Sequence, residues 1–348
     1  MSCFRAVALA ALLSAPAGAQ DVIKFATLAP EGSTWMKVMA EFNKELQEKT
    51  GGKLRFKFYP GGVSGDEKDV VRKMRIGQLH AAGVTGVGLG EVASEVRVMD
   101  APFLFRGADE VDHALAALDT ELNAHLEKGG FVNLGWAEVG SVHLFTNAPL
   151  RSSDDMKKVK MWVWEGDPIA EACFKAFNVH PIPLSITDVM TSLQTGLIDG
   201  VYGSPMGVIA FQWFTKTKFI YSVPMANASG AVLVSKKRLD ALPEESRKVL
   251  RELGRKHMTR LTRLSREENR QALATLQRQG LTLTEPANPG ALQDYEAVGQ
   301  KARRTLVGRM YPADLLDKAE KAVAEHRKAR STQSGPGKET KGGKASKG

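Results

Sequence analysis

Short runs of β-forming residues alternate with amphipathic helical patterns along most of this 348-residue chain. Residues 22–26 and 54–59 predict strands, and between them Ser33 caps a helical stripe formed by Trp35, Met39, Phe42 and Leu46. The same alternation continues through predicted strands at 81–85, 131–136, 142–146 and 160–164. Such a pattern predicts an α/β protein with parallel or mixed sheets.

One segment is too long for the helices of a single small domain. Residues 244–279 contain no proline and one glycine, and their apolar stripe runs through Leu250, Leu253, His257, Leu261 and Leu264. A helix of this length extends about 50 Å. We therefore expect it to lie across two domains, with His257 packed rather than bound to a ligand.

The first nineteen residues have the composition of a secretory signal peptide. Arg5 precedes an apolar run at 6–13, and Ala17 and Ala19 form a small-residue cleavage site. The run is too short to span a bilayer, and no later segment reaches the ~20 apolar residues that a membrane helix needs. The sequence predicts cleavage after Ala19 and an exported protein that is not itself membrane-spanning. Cys173 then remains as a lone, buried cysteine.

The net charge of +9 is concentrated at the C-terminus. Residues 327–348 carry seven Lys or Arg and one Glu, so the body of the chain is close to neutral. This distribution excludes an electrostatic footprint for nucleic acid. Residues 331–348 are rich in Gly, Lys and Ser, and we predict a disordered basic tail.

No catalytic, metal or cofactor pattern is present. The seven histidines are never three or four residues apart, which excludes a two-histidine metal face on a helix. The glycines at 86, 88 and 90 resemble a dinucleotide fingerprint, but Glu91 stands at its third glycine position. We interpret Asp66, Glu67 and Asp69 as charges in the first turn of a helix. The prediction is a binding protein, not an enzyme, with no metal and no cofactor.

Two tryptophans stand out by their spacing. Trp162 and Trp164 are two apart on a predicted strand, so their rings share one face. The strand is followed by Glu165, Gly166, Asp167 and Pro168, where a helix begins. Ligands of open α/β sheets bind beyond the carboxyl ends of strands. The pair either faces a ligand or packs in the core.

Several stretches carry a family resemblance: IKFATLAP at 23–30, APFLF at 101–105, MKKVK at 156–160 and SLQTGLIDG at 192–200. With these, residues 23–285 resemble the DctP-type substrate-binding proteins of tripartite ATP-independent periplasmic (TRAP) transporters. The resemblance implies a two-lobed, type II-like periplasmic binding protein fold that encloses a small-molecule ligand. It also implies a periplasmic location and delivery to the small and large subunits of a TRAP membrane permease.

The same resemblance divides the chain. The main part of lobe I corresponds to 20–145 and that of lobe II to 146–235. Residues 236–330 supply the long helix across both lobes and the C-terminal helices that return over them.

The sequence departs from its family at the ligand. Acid-binding members carry an arginine two residues after the lysine that aligns with Lys160, whereas this chain has Trp162. An indole leaves a buried carboxylate unpaired, which disfavours a simple organic acid. We therefore predict an apolar or neutral ligand. The candidate ligand-binding residues are Thr27, Glu31, Trp35, Trp162, Trp164, Asp188, Tyr202, Ser204 and Trp213.

Other hypotheses about the ligand and the function stay open. The aromatic residues could form a cage for a cation, with Glu31, Glu165 or Asp167 nearby. An acid could be held by other groups of the pocket. The protein could also serve a sensor or another non-transport partner, or be an exported enzyme whose catalytic residues converge only in the fold.

Overall fold

The computed structural model describes residues 20–333, so the predicted signal peptide at 1–19 and residues 334–348 of the predicted tail lie outside it. Residues 331–333 of that tail continue the last helix. The strands are β1 Asp21–Thr27, β2 Leu54–Tyr59, β3 Ala81–Thr85, β4 Phe131–Thr146, β5 Trp162–Trp164, β6 Ile182–Leu184, β7 Gly200–Gly203, β8 Phe219–Tyr221, β9 Ala226–Ser235 and β10 Thr282–Thr284.

The helices alternate with these strands, as the sequence pattern predicts. They are α1 Thr34–Lys49, α2 Glu67–Arg75, α3 Gly86–Val92, α4 Ala108–Lys128, α5 Ser153–Met156, α6 Pro168–Ala176, α7 Val189–Thr195, α8 Pro205–Ala210, α9 Lys236–Asp240, α10 Glu244–Arg278, α11 Pro289–Thr305 and α12 Ala313–Gln333. Short 3-10 helices lie at Ser94–Asp100, Ile186–Asp188 and Trp213–Lys216.

The first lobe is built on a mixed sheet with helices on both faces. Its strands follow the order β4-β9-β3-β1-β2, with β1 parallel to β2 and β3, and β9 antiparallel to β3 and β4. Two apolar cores cover the two faces of this sheet. Residues 226–235 thus lie in the sheet of the first lobe, although the predicted lobe limits placed them in the second.

Strand β4 is shared by both lobes. The sequence predicts two separate strands at 131–136 and 142–146, but the structure has one strand, with register shifts between Asn133 and Gly135 and between Glu138 and Gly140. Beyond Val142, β4 leaves β9 and pairs with β7 and β8. Irregular pairing hid the continuity, because bulges interrupt the period of two that marks a strand.

The second lobe completes the fold around shorter strands. Strands β7 and β8 pair with the end of β4, β10 runs parallel to β8, and the separate pair β5-β6 carries both tryptophans. Two further apolar clusters lie in this lobe. The α/β, two-lobed fold class with mixed sheets is confirmed.

Helix α10 extends across both lobes as predicted. It packs along β4, against α1 of the first lobe and α8 of the second. Its backbone approaches β4 closely at Gly254, where a methyl group would lie 2.5 Å from the carbonyl oxygen of Leu134. His257 is buried, stacks on Phe42 and pairs with Glu45 at 2.8 Å, so it is a packed residue. Within residues 20–333, no helix is long and apolar enough to cross a membrane.

Candidate functional site

A cavity of about 240 Å³ lies between the two lobes. The first lobe contributes the ends of β1 and β3 and the start of α1, and the second contributes β5, β7 and α8. Helix α10 closes one side with Ser265, Glu268 and Asn269. The volume exceeds the roughly 150 Å³ of an engineered apolar cavity that holds benzene, so a somewhat larger small molecule fits.

Most of the candidate residues from the sequence come together at this cavity. Seven of them line it: Thr27, Trp35, Trp162, Trp164, Tyr202, Ser204 and Trp213. Glu31 and Asp188 do not; both are exposed, Glu31 in the turn after β1 and Asp188 at the end of a 3-10 turn. Those two side chains face solvent because each lies in a short connection at the surface.

The aromatic side chains form one packed wall. The ring of Trp162 stacks on Tyr202 at a centroid distance of 4.9 Å and meets Trp213 edge-on at 5.3 Å. Trp35 lies on the opposite side, over Gly83 and Gly230, where added methyl groups would approach its ring within 3.5 Å. Trp162 is only 1% exposed and Trp164 is 7% exposed. Both side chains are therefore packed in the core of the second lobe and also line the cavity.

The indole N–H groups of Trp162 and Trp164 donate to protein acceptors. Nε1 of Trp162 donates to the carbonyl oxygen of Leu184 at 3.0 Å, and Nε1 of Trp164 donates to the carboxylate of Asp66 at 3.0 Å. The hydroxyl of Tyr202 accepts from the backbone N–H of Trp164 at 3.1 Å. What these residues present to the cavity is therefore ring surface.

A buried ion cluster forms another part of the wall. Nε of Arg97 donates to Asp100 at 2.7 Å, and Nη2 donates to Asp167 at 2.9 Å. Burial alone would lower the pKa of Arg97, but the two carboxylates outweigh it and raise the pKa above its ordinary value. Burial raises the pKa of Asp100, against the effect of Arg97 and of donation from Ser229. Arg97 is the only cationic residue among the described residues that line the cavity.

A second buried acid lies beside the ion cluster. Glu67 is 2% exposed and accepts from the backbone N–H of Thr85 at 2.8 Å and from that of Gly88 at 2.7 Å. Burial raises the pKa of Glu67 to about 7, although these donors and the Thr85 hydroxyl act in the opposite direction. The cavity thus carries excess acid rather than an available cation.

The two lobes are joined by polar contacts next to the cavity. Asp66, at the start of α2 in the first lobe, accepts from three groups of the second lobe: Trp164 Nε1, Ser185 Oγ at 2.6 Å and the backbone N–H of Ile186 at 3.3 Å. The Arg97–Asp167 pair also crosses between lobes. These contacts describe a closed arrangement.

Arg97 and Asp100 were not identified from the sequence. The interpretation of Asp66 and Glu67 as charges at the start of α2 is correct, but it leaves out their buried contacts. Asp66 does cap α2, yet it is 4% exposed and its main partners come from the other lobe. The signal available was the run of glycines at 86, 88 and 90. A methyl group on Gly86 would lie on a carboxylate oxygen of Asp100, and one on Gly88 would lie 2.8 Å from Glu67 Oε2.

Other chemistry finds no support in the described part of the chain. No group of three or more His, Cys, Asp or Glu side chains within 20–333 could hold a metal ion. Cys173 is 2% exposed, and burial raises the pKa of its thiol to about 12, which leaves it protonated. The acids of the suggested cation cage are engaged or distant: Glu165 is exposed and pairs with Lys68, and Asp167 pairs with Arg97.

Comparison with known proteins identifies relatives over most of the chain. The chain is 27% identical over 296 residues to the 2,3-diketo-L-gulonate-binding periplasmic protein YiaO of Escherichia coli, covering 82% of this chain and 86% of that one. It is 24% identical over 280 residues to the C4-dicarboxylate-binding periplasmic protein DctP of Rhodobacter capsulatus, covering 80% and 84%.

Solved structures share the fold. A TRAP periplasmic solute-binding protein from Ralstonia eutropha, with bound (S)-2-acetolactate, aligns with a TM-score of 0.81 at 21% identity, covering 87% of this chain and 99% of that one. Another neighbour, a Bordetella pertussis extracytoplasmic solute receptor binding pyroglutamic acid, aligns with a TM-score of 0.80 at 20% identity, with the same coverage.

The family model for bacterial extracellular solute-binding proteins, family 7 (DctP), matches residues 25–305. Its members are extracytoplasmic receptors that bind small molecules for TRAP transporters and are not enzymes. The matched residues include both lobes, the interlobe cavity and the long helix. The chain therefore belongs to the DctP family of TRAP solute-binding proteins.

Proposed function

We propose that this receptor captures an apolar or weakly polar small molecule between its lobes and delivers it to a TRAP membrane permease of small and large subunits. The observation that carries the proposal is the position of Trp162 and the hydrogen bond made by its indole N–H. It stands where acid-binding members carry arginine, and its one polar group already donates to Leu184. At this point the cavity wall therefore presents an aromatic ring to a ligand.

The charges around the cavity support the same ligand class. Arg97 is paired with two aspartates, and Glu67 and Glu268 add further carboxyl groups to the wall. A buried ligand carboxylate would lack a free cationic partner and would face acids, at a desolvation cost of several kcal/mol. The named relatives bind sugar acids or dicarboxylates, so this chain would differ from them in ligand class.

A matched pair of ligands tests the proposal. Each carboxylic acid in a small panel, beginning with benzoate, is compared with its uncharged methyl ester by isothermal titration calorimetry on refolded, ligand-free protein. We expect the ester to bind at least about tenfold more tightly than the acid, equivalent to about 1.4 kcal/mol. A preference for the acids would overturn the proposed ligand class.

The native ligand can be sought directly. Protein purified under native conditions is extracted with organic solvent, and the extract is analysed by mass spectrometry. We expect an uncharged compound that is absent from a Trp162→Arg preparation, since that change buries a cation where the ring now packs. Recovery of a carboxylic acid from both preparations would contradict the proposal.

We further propose that the receptor is exported to the periplasm and that its signal peptide is cleaved after Ala19. The proposal rests on the order of Arg5, the apolar run and the Ala17/Ala19 site. The intact mass of the periplasmic protein should correspond to a chain without residues 1–19, and retention of Met1 would refute this proposal.

A further inference from the structure

The cavity contains a guanidinium, yet two of its three nitrogens already donate to carboxylates of the protein. Arg97 lies in the first lobe, in the 3-10 helix Ser94–Asp100, and its side chain is 5% exposed. Asp100 binds its Nε from the same helix. The outer nitrogen, Nη2, is the one that receives a partner from the other lobe, Asp167.

Asp167 is held in place by its own lobe. It is the N-cap of α6, where its Oδ1 accepts from the backbone N–H of Ile169 at 3.2 Å, and Pro168 follows in the first helical position. The hydroxyl of Tyr202 donates to its Oδ2 at 3.4 Å. The side chain is 6% exposed. A preorganised carboxylate is thus delivered to Arg97 whenever the lobes close.

Both members of this pair line the cavity. A ligand carboxylate that sought Arg97 would have to displace an intramolecular one whose position is fixed by a helix cap. Intramolecular groups compete at high effective concentration, so an acid in solution is at a disadvantage. Displacement would also leave Asp167 buried and unpaired, which is strongly unfavourable.

We propose that Asp167 is a specificity-determining residue: it acts as a built-in carboxylate that occupies Arg97 in the closed receptor and excludes acidic ligands from the cavity. This inference rests on the proposed function, which it explains, because it accounts for how a receptor can hold a buried arginine and still reject acids. It applies to small carboxylates as a class.

The test removes the carboxylate while keeping the helix cap. Asp167→Ser retains a capping oxygen and leaves space beside Arg97, whereas Asp167→Asn fills the same space without a charge. Thermal unfolding of wild type and both variants is followed in sodium acetate against sodium chloride at equal ionic strength. We expect acetate to raise the Tm of Asp167→Ser by about 2–4 °C in a saturable manner, with no such rise in wild type or Asp167→Asn.

Two controls keep the outcome decisive. The double variant Arg97→Gln/Asp167→Ser lacks the guanidinium and should lose the acetate effect. If Asp167→Ser is unfolded in chloride, acetate should restore its circular dichroism spectrum, because it restores the missing partner. An Asp167→Ser protein that responds to acetate no more than Asp167→Asn, or is not restored by it, overturns the inference.

The proposed function and the role of Asp167 are tested on different proteins, the wild type and the Asp167→Ser variant. Wild-type preference between benzoate and methyl benzoate tests the ligand class, whereas the shift of that preference in Asp167→Ser tests Asp167. We expect the variant to move at least about tenfold toward benzoate. A wild type that prefers benzoate refutes the ligand class and, with it, the exclusion of acids by Asp167, whereas an Asp167→Ser variant with an unchanged preference refutes the role of Asp167 alone.

Discussion

Truncating Trp162 to alanine removes the central ring of the cavity wall. The ring is 1% exposed, stacks on Tyr202 and meets Trp213 edge-on, and its N–H satisfies Leu184. Trp→Ala changes at buried sites cost about 3–5 kcal/mol of unfolding free energy. A buried aromatic anchor of a binding site contributes about 2 kcal/mol or more to affinity, so Kd should rise about 30-fold. We therefore expect Trp162→Ala to lose both stability and affinity.

Separating the two effects requires a matched variant. Trp136 is half-buried against the first-lobe core, donates its N–H to Asp119 and does not line the large cavity. Urea unfolding of Trp162→Ala and Trp136→Ala gives the stability loss, and calorimetry with methyl benzoate at low temperature gives the affinity of the folded fraction. Trp136→Ala should keep wild-type affinity. If Trp162→Ala also keeps it while losing stability, Trp162 is a core residue and the inferred ligand class loses its main support.

Three further perturbations test the surroundings of the cavity. Asp66→Ala removes the acceptor of three interlobe hydrogen bonds, so small-angle scattering of ligand-free protein should show a larger radius of gyration than wild type; an unchanged radius would contradict this. The raised pKa of Glu67, about 7 in the folded chain against 4.5, means that the folded state holds this proton more tightly, so stability is lost as pH rises between these values, by up to about 3 kcal/mol; urea unfolding against pH should show this slope in wild type and not in Glu67→Gln. Gly86→Ala places a methyl group on Asp100 and should lower the Tm sharply, whereas Gly203→Ala meets only ordinary contacts and should not.

Much of the fold could be predicted because it depends on local pattern. Periodicity gave the long helix to within one residue of its observed end, since its apolar stripe packs against β4, α1 and α8 along its length. Strand β9 escaped prediction because its residues, ANASGAVLVS, are buried on both sides and show no alternation. The paired sheet, not the local sequence, makes this segment a strand.

The candidate site likewise contains residues that the local sequence predicts and residues that it does not. The end of β5 could be located from strand alternation and from the family resemblance, and both its tryptophans line the cavity. Whether they hold the ligand stays a prediction. Arg97 and Asp167 could not be paired in advance, because seventy residues separate them and only closure of the two lobes brings them within hydrogen-bond distance.

The place of β9 in the first sheet limits the order in which this chain can fold. Strand β9 lies between β3 and β4, yet in the chain it follows strands β5 to β8 of the second lobe. A nascent chain that ends before residue 226 therefore cannot join β3 to β4, and the first sheet remains split, with two unpaired edges. Neither lobe is a contiguous segment that could be excised as an independent domain. The late, sequence-distant pairing of β9 should make folding of the receptor slow and cooperative across both halves.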